Sequence, residues 1–430
     1  MNYSTSMPVQ DGSLSIWKIR LFTLSIFLLG MPLTGEIPTV TDPYANIQPE
    51  RKDPNVIIIV WVSLAIFAIY LLFRESKLFV RLCACNKMVF LLILYLFISA
   101  IWSDDHLESL LVSCQIAVSL IIVLASVTYY YRYPDNLLRH TGVALGLNLI
   151  VNLASIILLP GLTLDYEGRW GGVSVSANYV GALAYCAIWA NIASLFYVRG
   201  LLLRFLHASF ICIALVCLIG SNSNTSLIGA IIAVIVLFFF LSSGSMFRYF
   251  LRTLILLVVI VISLFIFNKG LTLSYLYVVE DLLGRDVSLT GRVDIWESGI
   301  NAIVERPWLG YGVAADTLSL GILSRATHFH SGYISLLVKG GALGLIFFVG
   351  MLISSFKDLF ELKRFDLTIF RLIFSFYISM LIYDIGDLSF LSARHPVWVI
   401  FLSTLLVMSL RVDGFLGNVK DNSVVPSKTG

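Results

Sequence analysis

Charge is what this sequence has least of. Asp, Glu, Lys and Arg make up 13% of its 430 residues, where a soluble domain carries about 25%. Hydrophobic residues make up 58%, and the mean hydropathy is +0.91. This excludes a soluble globular enzyme, a disordered chain and a nucleic-acid binder. With 29 Lys+Arg and a net charge of +3, the chain is no polycation either. Paired cysteines are also missing. Four of the six lie in apolar runs, and Cys83-Ala-Cys85 sits alone in a basic loop. No disulfide framework is implied, and no second ligand pair completes a zinc site. No small-residue cleavage site follows the apolar run behind Lys18 and Arg20, so that run is expected to be a first transmembrane helix, not a leader.

What the sequence does have is a succession of apolar runs. A bilayer core takes about 20 helical residues. Twelve runs approach that length, at roughly 19–34, 55–73, 87–102, 109–130, 138–160, 174–197, 201–220, 225–242, 249–268, 331–354, 367–385 and 395–411. The expected fold is an all-α polytopic integral membrane protein, one domain over 1–430 with about twelve transmembrane helices. The loops alternate in charge. One set carries nineteen basic residues, from Lys18 and Arg20 through Arg74, Arg132, Arg204 and Lys363 to Lys428. The other carries nine, and Lys339 is left inside a helix. Basic loops stay cytoplasmic, so both termini read as cytoplasmic.

One external connection is long, residues 269–330, and loops of that length are usually functional. Val293, Trp296, Ile300 and Ile303 recur at spacings of 3 and 4 within it, the mark of a short amphipathic helix. Thr290 is placed to cap it, and Pro307 ends it near Glu305 or Arg306. Such a helix suits the membrane surface. The plainer alternative is a lid without chemistry.

The external side also collects the chemistry-bearing residues. Arg169 stands in the short loop 161–173, and Arg292 in the first turn of the loop helix, where unpaired N–H groups favour an anion. Two arginines and a helix start can clamp a diphosphate. Taken singly, Arg169 reads more plainly as an anchor beside Trp170, and Arg292 as a surface pair with Asp294 or Asp286. His330 closes the long loop, with His328 two residues before it. A histidine there can take a proton from a hydroxyl at neutral pH, or simply be an interfacial polar residue. Lys339 lies about 13 Å deeper on the tenth helix, as a site residue or as a bridge to Asp384 or Asp387. Arg394 is placed to join the basic lining, and Arg285, Arg306 and Arg325 to hold the loop on anionic headgroups. Gly340, Gly341 and Gly344 read as close helix-packing positions. No Asp-x-Asp occurs on this side, so no metal and no other cofactor is expected.

Four stretches resemble the O-antigen ligase and O-antigen polymerase superfamily of bacterial surface-polysaccharide assembly. They are Trp102-Ser-Asp-Asp105 with Glu108-Ser-Leu110, and Arg169-Trp-Gly171 with Asn178 and Gly181. The third is Gly291-Arg292 and Trp296 with Arg306-Pro-Trp-Leu-Gly-Tyr-Gly312, and the fourth His330-Ser331 with Gly341 and Gly344. The sequence departs at Ser331, where the family commonly has Asn, and at Ser221–Thr225, where an arginine is frequent.

The resemblance implies a metal-independent glycosyltransferase of the inner membrane with its active site on the periplasmic face. Its donor would be a glycan on undecaprenyl diphosphate, and its acceptor a second lipid-linked glycan or lipid A–core, with membrane lipids and other polysaccharide-assembly proteins as partners and no nucleic acid. Carried over, Arg169 and Arg292 would bind the diphosphate and His330 would act at the acceptor, supported by His328, Lys339 and Arg394. The look of the third stretch leans to a polymerase, with an O-antigen ligase as the alternative. A lipid-linked sugar transporter or flippase and a protein O-oligosaccharyltransferase are more distant readings.

Overall fold

The computed structural model describes residues 12–31, 55–165, 168–174, 176–241, 290–317, 319–321 and 328–423. Among them the chain is helical, with no strand beyond an isolated bridge between Leu164 and Trp170. The protein is an all-α polytopic membrane protein. The first helices are α1 (Gly12–Phe27), α2 (Asn55–Phe73), α3 (Ser76–Cys85), α4 (Lys87–Ser99), α5 (His106–Tyr130) and α6 (Pro134–Leu158). A single turn, α7 (Pro160–Thr163), leads to α8 (Ala177–Leu195), α9 (Leu201–Ser221) and α10 (Asn224–Leu241). The last are α11 (Thr290–Glu305), α12 (Gly332–Leu362), α13 (Leu367–Gly386) and α14 (Pro396–Ser423).

Ten of the twelve apolar runs coincide with these helices. The first is shifted: it occupies 12–27 instead of 19–34. A turn at Leu28–Gly30 stops it, with Gly30 at φ +72° against the ring of Tyr179. The run 249–268 lies outside the described residues, as do Arg285 and Arg325. By length and composition six described helices can cross a membrane, namely α5, α6, α9, α12, α13 and α14. The bent pair α2–α3, which turns by 102°, would make a seventh. α3 was expected as loop. It is a short amphipathic helix that buries Leu82 and leaves Val80 exposed.

α8 stands at the centre, against α6, α9, α10 and α14. Ala182, Ala184, Ala187, Ala190 and Ala193 are fully buried along it, so neighbouring backbones approach closely. Its polar residues find partners inside the bundle: the Asn191 amide donates to Gly142 O and Ala187 O, and its oxygen meets His207 Nδ1 at 2.7 Å. A helix enclosed in this way need not be apolar enough for lipid.

α12 packs on α4, α11, α13 and α14 and is broken near its start. Gly341 sits at φ +57° and ψ −160°, a conformation essentially reserved for glycine. A break inside a membrane frees backbone groups that water cannot reach. Here the segment Pro307–Gly312 supplies the partners. Tyr311 N–H donates to Val338 O (2.8 Å) and Gly312 N–H to Lys339 O (3.0 Å). Ala342 N–H donates to Pro307 O (2.8 Å) and Leu343 N–H to Trp308 O (3.1 Å). The Tyr95 hydroxyl completes the set on Gly340 O at 2.7 Å. Gly341 is therefore the site of the break and not a helix-packing glycine. Gly344 does pack, facing Tyr95.

The same loop is tied to α5. Arg306 pairs with Asp104 at 3.0 Å, and Trp102 Nε1 donates to Leu309 O. Gly312 lies against Ser103, and Ala314 N–H donates to the Ser109 hydroxyl. Arg306 thus holds the loop to the protein and not, as expected, to headgroups. Two of the family-like stretches, far apart in sequence, form one brace.

α11 ends at Glu305, as Pro307 predicts. Its inward face holds part of the predicted stripe: Trp296 donates to Phe329 O and Ile303 packs beside Ile295 and Ala302. Ile295, Gly299 and Ala302 pack onto Phe329 and Ile334, whereas Ile300 and Val304 are 53% and 72% exposed. The helix is apolar on two sides, and the small residues at 299 and 302 decide which one lies against the protein.

Candidate active site

The ends of α5, α8, α10, α12, α13 and α14 that meet the 161–173 loop and α11 form one end of the bundle. Arg169, Arg292, His328, His330 and Asp387 meet there.

Arg169 follows a tight loop closed by the Leu164–Trp170 bridge. Asp165 orients it: one carboxylate oxygen accepts from Arg169 Nε at 2.7 Å, the other from its backbone N–H at 2.8 Å. Trp170 folds over Gly220, which accepts its backbone N–H at 3.0 Å. The tryptophan thus packs on the end of α9, and Arg169 is held independently of it. Arg292, the third residue of α11, donates from Nη1 to Gly386 O at 3.0 Å. That carbonyl lies at the carboxyl end of α13, where the helix dipole favours a cation. The Thr225 hydroxyl donates to the same oxygen at 3.3 Å. The expected surface pair with Asp294 is not formed, and Asp286 lies outside the described residues.

His330 does not begin α12. The helix starts at Gly332 with Ser331 as its cap residue, and His330 precedes it at φ +48°. Few non-glycine residues adopt that backbone, and strain of this kind clusters at functional sites. Trp296 Nε1 pins the preceding carbonyl, Phe329 O, at 2.9 Å. The rings of His328 and His330 lie 4.2 Å apart.

Asp387, immediately after α13, was weighed in the sequence only as a partner for Lys339. It stands beside both histidines: His328, His330 and Asp387 each bring one ligand-type atom within 4.8 Å of the others. This trio is the described set able to hold a metal ion. Leu388 N–H and the Tyr383 hydroxyl donate to the Asp387 carboxylate, each at 2.8 Å. His395, packed on Tyr179 and Tyr383, completes the surround. Sequence gave one signal for these residues, acids at the end of an otherwise apolar helix. Lys339 does not bridge to them. Asp384 is taken up by Ser389 and the N–H of Phe390. Arg394 contributes its carbonyl to the Tyr179 hydroxyl.

The electrostatics are those of a base beside cations. Burial lowers the His330 imidazole to about 4, and His328, Arg292 and Arg169 push the same way against Asp387. Burial likewise lowers His328, and takes His395 to about 4. For Asp387 burial alone would raise the carboxyl. His395, His328 and the two hydrogen bonds outweigh it and hold it below its ordinary value. At neutral pH the site therefore contains neutral imidazoles, one carboxylate and two guanidiniums. It can accept a proton and neutralise an anion together.

Arg292→Lys keeps the charge and loses the planar fork. It is expected to lower the protein's activity about tenfold or more, as is Arg169→Ala, with folding intact by thermal melting. Normal turnover in a folded Arg292→Lys variant would reduce that arginine to a tie between α11 and α13.

A family described as "O-Antigen ligase" matches residues 208–349, which contain Arg292, His328, His330 and the α12 break. The chain is 28% identical over 238 residues to the "Exopolysaccharide production protein ExoQ" of Rhizobium meliloti, covering 49% of this chain and 53% of that protein. It is 27% identical over 143 residues to a Rickettsia conorii protein named "Putative polysaccharide ligase", covering 30% of this chain and 34% of the other. The aligned part thus spans about half of the first relative and a third of the second. With the all-α membrane fold, these matches make the chain similar to the membrane proteins of the O-antigen ligase superfamily.

Proposed function

We propose that the chain is an O-antigen ligase, transferring a glycan from undecaprenyl diphosphate to lipid A–core at the periplasmic face of the bacterial inner membrane. The observation that carries this reading is the meeting of Arg169, Arg292 and His330 at one end of the bundle. The sequence alone leaned to a polymerase. The comparisons support the ligase better, because the matched family is described as a ligase and one relative bears that word in its name. A transporter would keep its polar residues near the membrane midplane, which this grouping at one end does not favour.

In the proposed reaction the acceptor hydroxyl attacks the anomeric carbon of the donor sugar. A carbon–oxygen bond forms as the bond to the diphosphate oxygen breaks. The hydroxyl proton passes to His330, and the leaving diphosphate carries the bonding electrons. Arg169 and Arg292 stabilise that charge where it develops. Both termini and the basic end of the bundle face the cytoplasm in this reading, and residues 269–330 the periplasm; the termini and residues 269–289 lie outside the described residues.

A strain lacking the gene, examined on a silver-stained lipopolysaccharide gel, tests the assignment. Bare lipid A–core, with polymer retained on undecaprenyl diphosphate, is the ligase result. Core carrying a single repeat unit would return the assignment to a polymerase.

A further inference from the structure

The cluster of two imidazoles and a carboxylate offers more than a single base requires. We infer that His328, His330 and Asp387 form a binding site for a divalent transition-metal cation with the chemistry of zinc, and that its occupation withdraws His330 from glycan transfer. The binding needs only the three side chains, and the withdrawal rests on His330 being the acceptor's base as proposed above.

Two histidines and a carboxylate with an open fourth position make a ligand set that zinc uses where solvent or substrate has access. Imidazole and carboxylate together suit zinc, copper or nickel better than calcium or magnesium. The three donor atoms already lie within 4.8 Å of one another. Bonds of about 2.0–2.2 Å in tetrahedral geometry put ligand atoms about 3.4 Å apart, so closure asks for roughly an ångström of movement from small side-chain rotations. His330 Nδ1 is buried and makes no hydrogen bond. Asp387 is already oriented by Leu388 N–H and the Tyr383 hydroxyl, the outer-shell support that fixes a metal-binding carboxylate. The backbone of His330 is held left-handed, which fixes the direction from which its ring reaches the cluster.

Arg169 and Arg292 bear on the same site and repel a cation. Binding is therefore expected to be weaker than at a structural zinc centre, and reversible. The metal is a competitor for the site, not a cofactor of the reaction.

The purified full-length protein in detergent is titrated with Zn²⁺ against a chromophoric chelator, and with Co²⁺ by visible absorption. One Zn²⁺ per chain and the strong visible bands of four-coordinate Co²⁺ are expected. Asp387→Asn and His328→Gln should each weaken Zn²⁺ more than about tenfold, the least that even an outer-shell change costs. Asp294→Asn, on the exposed face of α11, should leave binding unchanged. Arg169→Ala should tighten it, opposite to its expected effect on transfer. No bound Zn²⁺, or binding that survives both ligand substitutions, would overturn the site. One bound Zn²⁺ with transfer unaffected would keep the site and overturn the withdrawal, and with it the role of His330 as base.

Discussion

On the proposed mechanism His330→Ala is expected to lower glycan transfer by about 10²–10⁴-fold, the usual contribution of a positioned base, with binding of the lipid-linked donor, assigned there to Arg169 and Arg292, retained. His330→Asn is the control for folding, because Asn tolerates the left-handed backbone found here at φ +48°. It should melt near the wild-type temperature and be as inactive as the alanine variant. His328→Ala should retain far more activity, since His328 touches the base without occupying its place. Full activity in His330→Ala and none in His328→Ala would move the proton to His328. Full activity in both would leave orientation and arginine charge to carry the reaction. A base must be neutral to work, and His330 is lowered to about 4, chiefly by burial. Its neutral form therefore persists from neutral pH down to that value. The acid limb of kcat/KM should accordingly fall near 4 and not near the ordinary histidine value of about 6.5.

Gly341→Ala is expected to destabilise the protein by about 3 kcal/mol or more. The backbone conformation alone costs about 1–3 kcal/mol for another residue. A Cβ there would also lie 2.5 Å from the carbonyl carbon and oxygen of Trp308, so the loop must retreat. Each hydrogen bond lost with it is worth about 0.5–1.5 kcal/mol. Gly310→Ala should behave alike, because its Cβ would strike Val338 O at 2.6 Å and Gly341 N at 2.7 Å. Gly344→Ala, which meets only the Tyr95 ring at 3.3 Å, should be mild. Thermal melting of the purified proteins checks the series. A Gly341→Ala protein as stable as wild type would mean that the break is not built around glycine.

The membrane helices were legible because lipid demands long apolar runs; α2 keeps its bounds, whereas α12 and α14 continue to Leu362 and Ser423, past the ends of their apolar runs. α3 escaped because it is short and amphipathic, with Lys77 and Arg81 inside it and Arg74 just before it, and so resembles a basic loop. The break at Gly341 was hidden for another reason. A glycine among apolar residues reads as a close-packing position, and only the partner segment at Pro307–Gly312 distinguishes a break from a contact. In the site, Arg169, Arg292 and His330 stood out because each is polar at the same end of the bundle. Asp387, Tyr383 and His395 did not. Their roles depend on the fold bringing the end of α13 against the start of α12. On α11 the stripe contains Trp296 and Ile303, which do face inward, but also the exposed Ile300, and it omits Gly299 and Ala302, which carry no apolar signal of their own.

The pairing of Pro307–Gly312 with the broken start of α12 runs through backbone atoms on both sides. Side chains such as Trp308 and Leu309, which point outward, are free to diverge between relatives without disturbing it. The glycines on the two strands of contact are not free in this way. Grafting the loop of one homologue onto the helices of another should therefore succeed only when the matching stretch of α12 travels with it. For inheritance and for engineering alike, the loop, the upper part of α12 and the Trp102–Ser109 stretch that braces the loop are a single exchangeable unit, although the sequence presents them as a connection and two helix starts.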